Sequence, residues 1–202
     1  EVSTYASWYL SELAQLVLAG RLDYALTGVC GDAGPPVEHG LTWRAIAVDA
    51  VFVLLPQAHP LAARDEVPLA ALADARWVAA PGDGCFADCF AAACARAGFA
   101  PRKIYETDVR GCMDLVEAGE GVALCQATFR PMTGLVTRPL AGAPLRWRLL
   151  LGWRPDAAAD ASAATVLGHA HAAYADAVAR NPEYAAWLRR HPTFGEQNPA
   201  AA

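Results

Sequence analysis

Apolar positions along the chain follow two periods, one helical and one extended. Leu10, Leu13, Ala14 and Val17 recur at i, i+3, i+4 and i+7 and stop at Gly20, which predicts a helix. Glu1 to Ala6 ahead of it reads as a strand, and Leu22 to Thr27 behind it is a short apolar run suited to a buried strand. The opening therefore predicts strand, helix, strand with parallel pairing, broken by Gly31 to Gly40 with Pro35 and Pro36. Leu41 to Val48 and Ala50 to Leu55 read as two extended stretches, and Pro68 to Ala73 as a helical turn or two.

Trp77 to Ala80 is the next strand, followed by the turn Pro81-Gly82-Asp83-Gly84, a helix from about Cys85 to Ala97, and a stop at Gly98. The unit then repeats. Lys103 to Glu106 is a strand, Asp108 an N-cap, Val109 to Ala118 a helix, and Val122 to Cys125 a strand after Gly119 and Gly121. Leu135 to Pro139 and Leu145 to Trp153 complete the strands. An Ala-rich helix from about Ala163 to Ala179, a short helix Glu183 to Arg190 and a frayed tail Thr193 to Ala202 complete the chain. Strands alternating with helices predict an α/β fold, and the glycine-stopped units early and midway predict two lobes, the second inserted in the first.

Composition narrows the function classes. A chain of 202 residues, 55% hydrophobic and 18% charged, has ample apolar surface for a globular core and matches no disordered composition. Its net charge of −5 lacks the basic stripe with which proteins displace counterions from phosphates, so these residues alone are not expected to grip DNA. No apolar run reaches the length of a membrane span. The chain opens at Glu1 without an initiator Met, and an upstream segment is expected; a removed signal peptide stays compatible with that opening.

Six cysteines could form three disulfides, yet Cys85, Cys89 and Cys94 contain no C-x-x-C pair and no His in ligand register. Phe86, Cys89, Phe90, Ala93, Cys94 and Ala97 instead fall on one helical stripe, and Cys112 joins Val109, Met113 and Val116 on another. The expectation is buried, reduced thiols in a cytoplasmic protein, with neither metal nor cofactor.

Ligands of open α/β sheets bind where strand carboxyl ends feed helix N-termini. Four turns qualify: Ser7-Trp8-Tyr9, Asp83-Gly84-Cys85-Phe86, Thr107-Asp108 and Gln126-Ala127-Thr128. If two lobes face each other, these turns converge on one cleft. The plainer alternative is that Ser7, Asp83, Thr107 and Asp108 only cap helices. Cys85 at a helix start could be a nucleophile or redox sensor, but Asp83 opposes thiolate formation and no His is near in sequence, which favours packing. His59 before Pro60 reads as a turn residue, and His169 and His171 point to different faces of their helix. Gly82 and Gly84 complete no phosphate-binding motif, and no catalytic constellation stands out. Among the tryptophans and methionines, which read as core, Trp8 alone abuts a candidate pocket turn.

Four stretches, in order and spacing, resemble the effector-binding region of LysR-type transcriptional regulators. They are Leu-Ala-Gly-Arg-Leu-Asp (18–23), Val-Leu-Leu-Pro-Gln-Ala-His-Pro-Leu-Ala (53–62), Ala-Gly-Phe-Ala-Pro (97–101) and Asp-Leu-Val-Glu-Ala-Gly-Glu-Gly-Val-Ala-Leu (114–124). The resemblance implies a two-lobed fold like that of periplasmic binding proteins, each lobe a mixed, mostly parallel sheet flanked by helices. Residues 1–47 and 147–202 would form lobe I, with its first strand upstream, and residues 48–146 lobe II. It further implies a non-catalytic domain that binds a small-molecule effector. Promoter DNA would be read by an N-terminal helix-turn-helix absent from this chain, in a homodimer or homotetramer with no membrane contact.

Matched by position, the family's pocket contacts fall near Ser7, Trp8 and Tyr9 and near Gly84, Cys85, Phe86 and Thr107. Asp83, Gln126 and Thr128 complete the expected effector-binding set. Gln126 stands where the family often has proline, and Cys85 where a hydroxyl or amide is frequent. Trp8, Tyr9 and Phe86 would suit a flat effector. The rival expectations are a transport-linked solute receptor and an enzyme using Cys85.

Overall fold

The computed structural model describes residues 2–7, 9–30, 40–79, 85–130, 132–155 and 158–197. Helix α1 (Leu10–Leu18) ends where Gly20 adopts φ +69°, a conformation that costs glycine nothing. Then come β1 (Tyr24–Cys30), β2 (Thr42–Pro56), β3 (Arg76–Ala79), α2 (Cys85–Arg96), β4 (Arg102–Glu106), α3 (Val109–Glu117) and β5 (Val122–Gln126). β6 (Leu135–Pro139), β7 (Arg146–Trp153), α4 (Ala158–Ala179), α5 (Pro182–Arg190) and β8 (Gly195–Glu196) follow, and Leu69–Leu72 forms one 3-10 turn.

The sheet runs β1-β7-β2-β5-β3-β4, with β6 and β8 also on β2. Its first half joins β1, β7 and β8 to the start of β2, all antiparallel. Its second half joins the end of β2 to β5 and β6 antiparallel, while β3 lies parallel to β4 and β5. Mixed sheets flanked by helices match the α/β, two-lobed expectation, but among the described residues parallel strand pairing is confined to β3, β4 and β5, with one isolated parallel bridge from Val67 to Leu140.

Three local expectations change. Residues 2–6 form no strand: Val2 and Tyr5 are exposed, and the Tyr5 hydroxyl reaches 2.6 Å to Glu12, so the segment folds onto the first turn of α1 instead of a sheet edge. The expected parallel opening pair is consequently absent among the described residues, and β1 pairs antiparallel with β7. The two stretches around Asp49 are one 15-residue strand, because Asp49 is buried with hydrogen-bond partners and does not interrupt the ladder; the irregularity lies at Ala45/Ala47 instead. Thr193 to Gln197 is not frayed, since Gly195 and Glu196 pair with Val48 and Ala47; the expected tail beyond residue 197 lies outside the described residues.

Each helix covers one apolar cluster. Leu13 and Val17 of α1 pack on Ala25, Val29, Trp43 and Leu150. Ala159, Ala163 and Tyr174 of α4 cover Ile46, Leu151 and Trp153. The cysteine stripe of α2 faces Val51, Val53, Leu55 and Trp77, and α3 places Cys112 and Val116 on Leu54, Val78 and Ala123. Val109, expected on that stripe, is exposed at the start of α3. A fully buried Leu, Val or Phe contributes about 1.5–3 kcal/mol, so these clusters hold the layers together.

Helix α5 lies against the second half. Tyr184 and Trp187 pack with Phe52 and Ala127, and the Asn181 side-chain amide donates to the carbonyls of Ala127 at 3.1 Å and Phe129 at 3.2 Å. Arg138 adds an ion pair to Glu183 at 2.7 Å. Among the described residues no helix is long and apolar enough to cross a membrane.

Candidate functional site

Because β3 is parallel to both β4 and β5, the carboxyl ends of all three gather at one edge, where the Thr107 amide donates to the Ala79 carbonyl at 3.0 Å. Gln126, at the end of β5, pairs with Val51, two residues along β2 from Asp49. From the first half, Cys30 ends β1 opposite Trp147, which in turn pairs with Asp49. Helix α1 joins β1 through residues 19–23 only, so its N-terminus lies toward the carboxyl end of β1. Strand ends from both halves thus meet around Asp49 to Val51, the position at which open α/β sheets take ligands.

The sequence-predicted residues that the structure describes take different roles. Ser7 donates to Glu12 and accepts the Tyr9 amide at 3.0 Å, which ties the start of α1; Tyr9 is 48% exposed and offers its ring to solvent. The Ser7 hydroxyl and, after it, that of Tyr5 donate to the Glu12 carboxyl and hold its pKa below the usual range. Trp8, Asp83 and Gly84 lie outside the described residues, as does the side chain of Cys85, whose backbone opens α2. Phe86 in the first turn of α2 meets Trp147 edge-to-face at 5.5 Å. Thr107 packs its hydroxyl beneath Gly111, where a Cβ would lie 2.4 Å from Oγ1, and Asp108 caps α3 by accepting the Gly111 amide at 2.8 Å. Gln126 is exposed and Thr128 half-buried after β5. Ser7 and Asp108 thus serve as helix-start ties, whereas Tyr9, Phe86, Thr107, Gln126 and Thr128 remain at the facing ends.

Side chains of the protein itself fill much of the space between the halves. Cys30 and Trp147 join Phe86, Phe90 and Cys94 in one cluster, and Gly28 is required beneath them because a Cβ there would meet the Trp147 ring at 2.0 Å. A cavity of about 240 Å³ remains beside α2, lined by Cys30, Cys89, Arg96, Leu145 and Arg146 among others and, among the described residues, by none of the sequence-predicted ones. The signal for this wall was present in Arg146 at the head of the apolar run to Trp153, but its neighbours are set by pairings remote in sequence.

Three of the described thiols are poorly suited to nucleophilic work. Burial pushes Cys94 up to about 11 and raises Cys112, with the Asp108 charge adding to the latter. Burial raises Cys125 further still. His59 accepts the Leu61 amide at 3.1 Å as a turn residue, and His171 Nδ1 lies 2.9 Å from Glu196 while His169 is exposed. Among the described residues no three His, Cys, Asp or Glu side chains group as metal ligands.

Comparison with known proteins agrees with this geometry. Residues 2–175 match the LysR substrate binding domain family. A small neutral protease regulatory protein of Streptomyces coelicolor is 38% identical over 156 residues, covering 77% of this chain and 47% of the relative. A related regulatory protein of Streptomyces lividans is 32% identical over 87% of this chain and 50% of its own length. The chain thus spans about half the length of these curated relatives. The C-terminal domain of a probable LysR family transcriptional regulator from Rhodococcus sp. RHA1 superposes with a TM-score of 0.62 at 26% identity, covering 76% of this chain and 78% of that domain. A mutant of Corynebacterium glutamicum OxyR, 23% identical with a TM-score of 0.69 over 84% of this chain and 53% of its own, shares the fold. A two-part sheet crossed by one long strand, facing strand ends and a family match over most of the chain lead to one assignment: the chain belongs to the LysR substrate binding domain family.

Proposed function

We propose that this domain holds a small-molecule effector, without transforming it, between the two halves of the sheet, and that binding changes how a DNA-reading part of the same protein engages a promoter. The observation that carries the reading is the meeting of the strand ends of β3, β4 and β5 with the end of β1 and the start of α1 around Asp49 to Val51 of β2. A ligand there touches both halves at once. Its differential affinity for two arrangements of those halves is what would bias the assembly.

Division of the chain into lobe I (1–47 and 147–202) and lobe II (48–146) is part of the proposal, with β2 and the link before β7 as the crossing segments. So are a cytoplasmic location, a homodimer or homotetramer, and effector contacts from Ser7, Trp8, Tyr9, Asp83, Gly84, Cys85, Phe86, Thr107, Gln126 and Thr128. The raised thiol pKa values of Cys94, Cys112 and Cys125 support a non-catalytic reading.

A metabolite thermal-shift screen on the complete protein, with promoter-DNA binding measured at one fixed salt concentration for each hit, tests the reading. A stabilising compound that alters DNA affinity supports it. Turnover of the compound by purified protein contradicts it.

A further inference from the structure

We propose that Arg148 anchors an anionic oxygen group, a carboxylate or phosphate, of the small effector; the inference rests on the effector-sensing reading above. Nε and Nη2 of Arg148 are sealed from solvent and meet no hydrogen-bond acceptor among the described residues. The residue as a whole is half-buried, but these two sealed donors lack an acceptor, a cost that a bound anion would relieve.

Position along the strand fixes which face this guanidinium occupies. Arg148 pairs with Val29 on β1 and Val48 on β2, two apolar neighbours that offer no charge. Side chains alternate along β7, so Arg148 shares a face with Leu150, which packs with Val29, Leu13 and Val17 beneath α1. Since α1 begins toward the carboxyl end of β1, its first turn lies at the Arg148 end of this face. The N-cap residue Tyr9 supplies no side-chain cap, and the helix dipole adds positive potential there.

Among the described residues, the nearest carboxylates of α1 and β2 are already engaged. Glu12 on α1 is taken by Ser7 and Tyr5, and Asp49 projects from the opposite face of β2 to Tyr174 and Tyr184. No ion pair among the described residues includes Arg148. A guanidinium with two sealed donors and no counter-ion among the described residues is matched to a ligand that brings its own negative charge. The planar fork of arginine suits a two-oxygen contact with carboxylate or phosphate.

The test compares anions with their neutral amides at constant ionic strength on the complete protein: benzoate with benzamide, succinate with succinamide, and inorganic phosphate as a separate arm. Thermal shift and calorimetric titration are read on wild type, Arg148→Met and Arg148→Lys. The expected result is that at least one anion stabilises wild type while its amide does not. Arg148→Met should weaken that anion about 10-fold or more, and without ligand it should melt at or above the wild-type temperature. Arg148→Lys keeps the charge but loses the fork and should bind the anion at intermediate strength, so it carries the test should the methionine variant fail to fold. Equal binding of anion and amide, unchanged anion affinity in the folded variants, or no response to any of the anions would overturn the proposal. A neutral hit that alters DNA affinity would remove the anion anchor and leave the effector-sensing reading standing. Ligands that bind through Arg148 without altering DNA affinity would do the reverse.

Discussion

Tyr184, on the last helix, donates its hydroxyl to Asp49 at the middle of the strand that crosses between the two halves of the sheet. Tyr174 donates to the same Oδ1 at 2.5 Å, and the two hydroxyl oxygens lie 3.2 Å apart. Three buried polar side chains from β2, α4 and α5 thus satisfy one another at the crossing point, which fixes the path of the strand beside the proposed effector site.

Asp49→Ala removes the acceptor and leaves two buried hydroxyls without it, and should destabilise the protein by about 2–4 kcal/mol. Asp49→Asn keeps an acceptor oxygen without the charge and should avoid the loss expected of Asp49→Ala. Urea melts of the two variants at neutral pH check the pair.

Burial raises the pKa of Asp49, opposed in part by the two tyrosine hydroxyls. Its folded value therefore lies above its unfolded one, and the folded protein holds the proton more tightly. The resulting stability is fully present below the ordinary aspartate range and is lost as pH rises through the raised value. Stability curves taken between about pH 4 and pH 7 should show wild type losing ground to Asp49→Asn as pH rises. Parallel curves would contradict the assignment.

Asn181 accepts the Tyr184 amide at 3.1 Å as an N-cap and donates to two carbonyls of the second half. Asn181→Ala loses the cap and leaves those carbonyls short of a donor in a buried setting, with an expected cost of about 2–3 kcal/mol. Hydrogen exchange should localise the loosening to α5 and residues 127–129.

Gly28→Ala puts a methyl group into the Trp147 ring and should destabilise by about 1–3 kcal/mol, because the ring is itself wedged against Phe86. Thermal denaturation reads the loss, and Trp147 fluorescence should shift if the ring is displaced.

Local chemistry was legible in the sequence and remote pairing was not. The Gly20 stop, the Asp108 cap and the apolar stripe of α2 depend on neighbours within a turn or two, and each stands where periodicity put it. Asp49 looked like a break because its partners lie 125 and 135 residues away. Residues 2–6 carry a strand-like pattern, yet two hydroxyl contacts to Glu12 turn the segment onto α1. The pairing of Gly195 with Val48 is equally invisible locally. Of the candidate site, the turn from β4 into α3 was readable from its strand-to-helix junction, the one after β3 lies outside the described residues, and β5 leads to β6 with no helix between them, whereas Cys30, Arg96, Arg146 and Arg148 acquire their setting only from the register of β7 and the packing of α2.

The most direct test is a titration of promoter DNA with the complete protein, with and without each stabilising compound, followed by chemical recovery of that compound. The account predicts at least one ligand that shifts the melting temperature in a dose-dependent manner, changes DNA affinity at constant salt, and is recovered intact in full. Consumption of the ligand, or stabilisation with no change in DNA affinity for any compound, would contradict it.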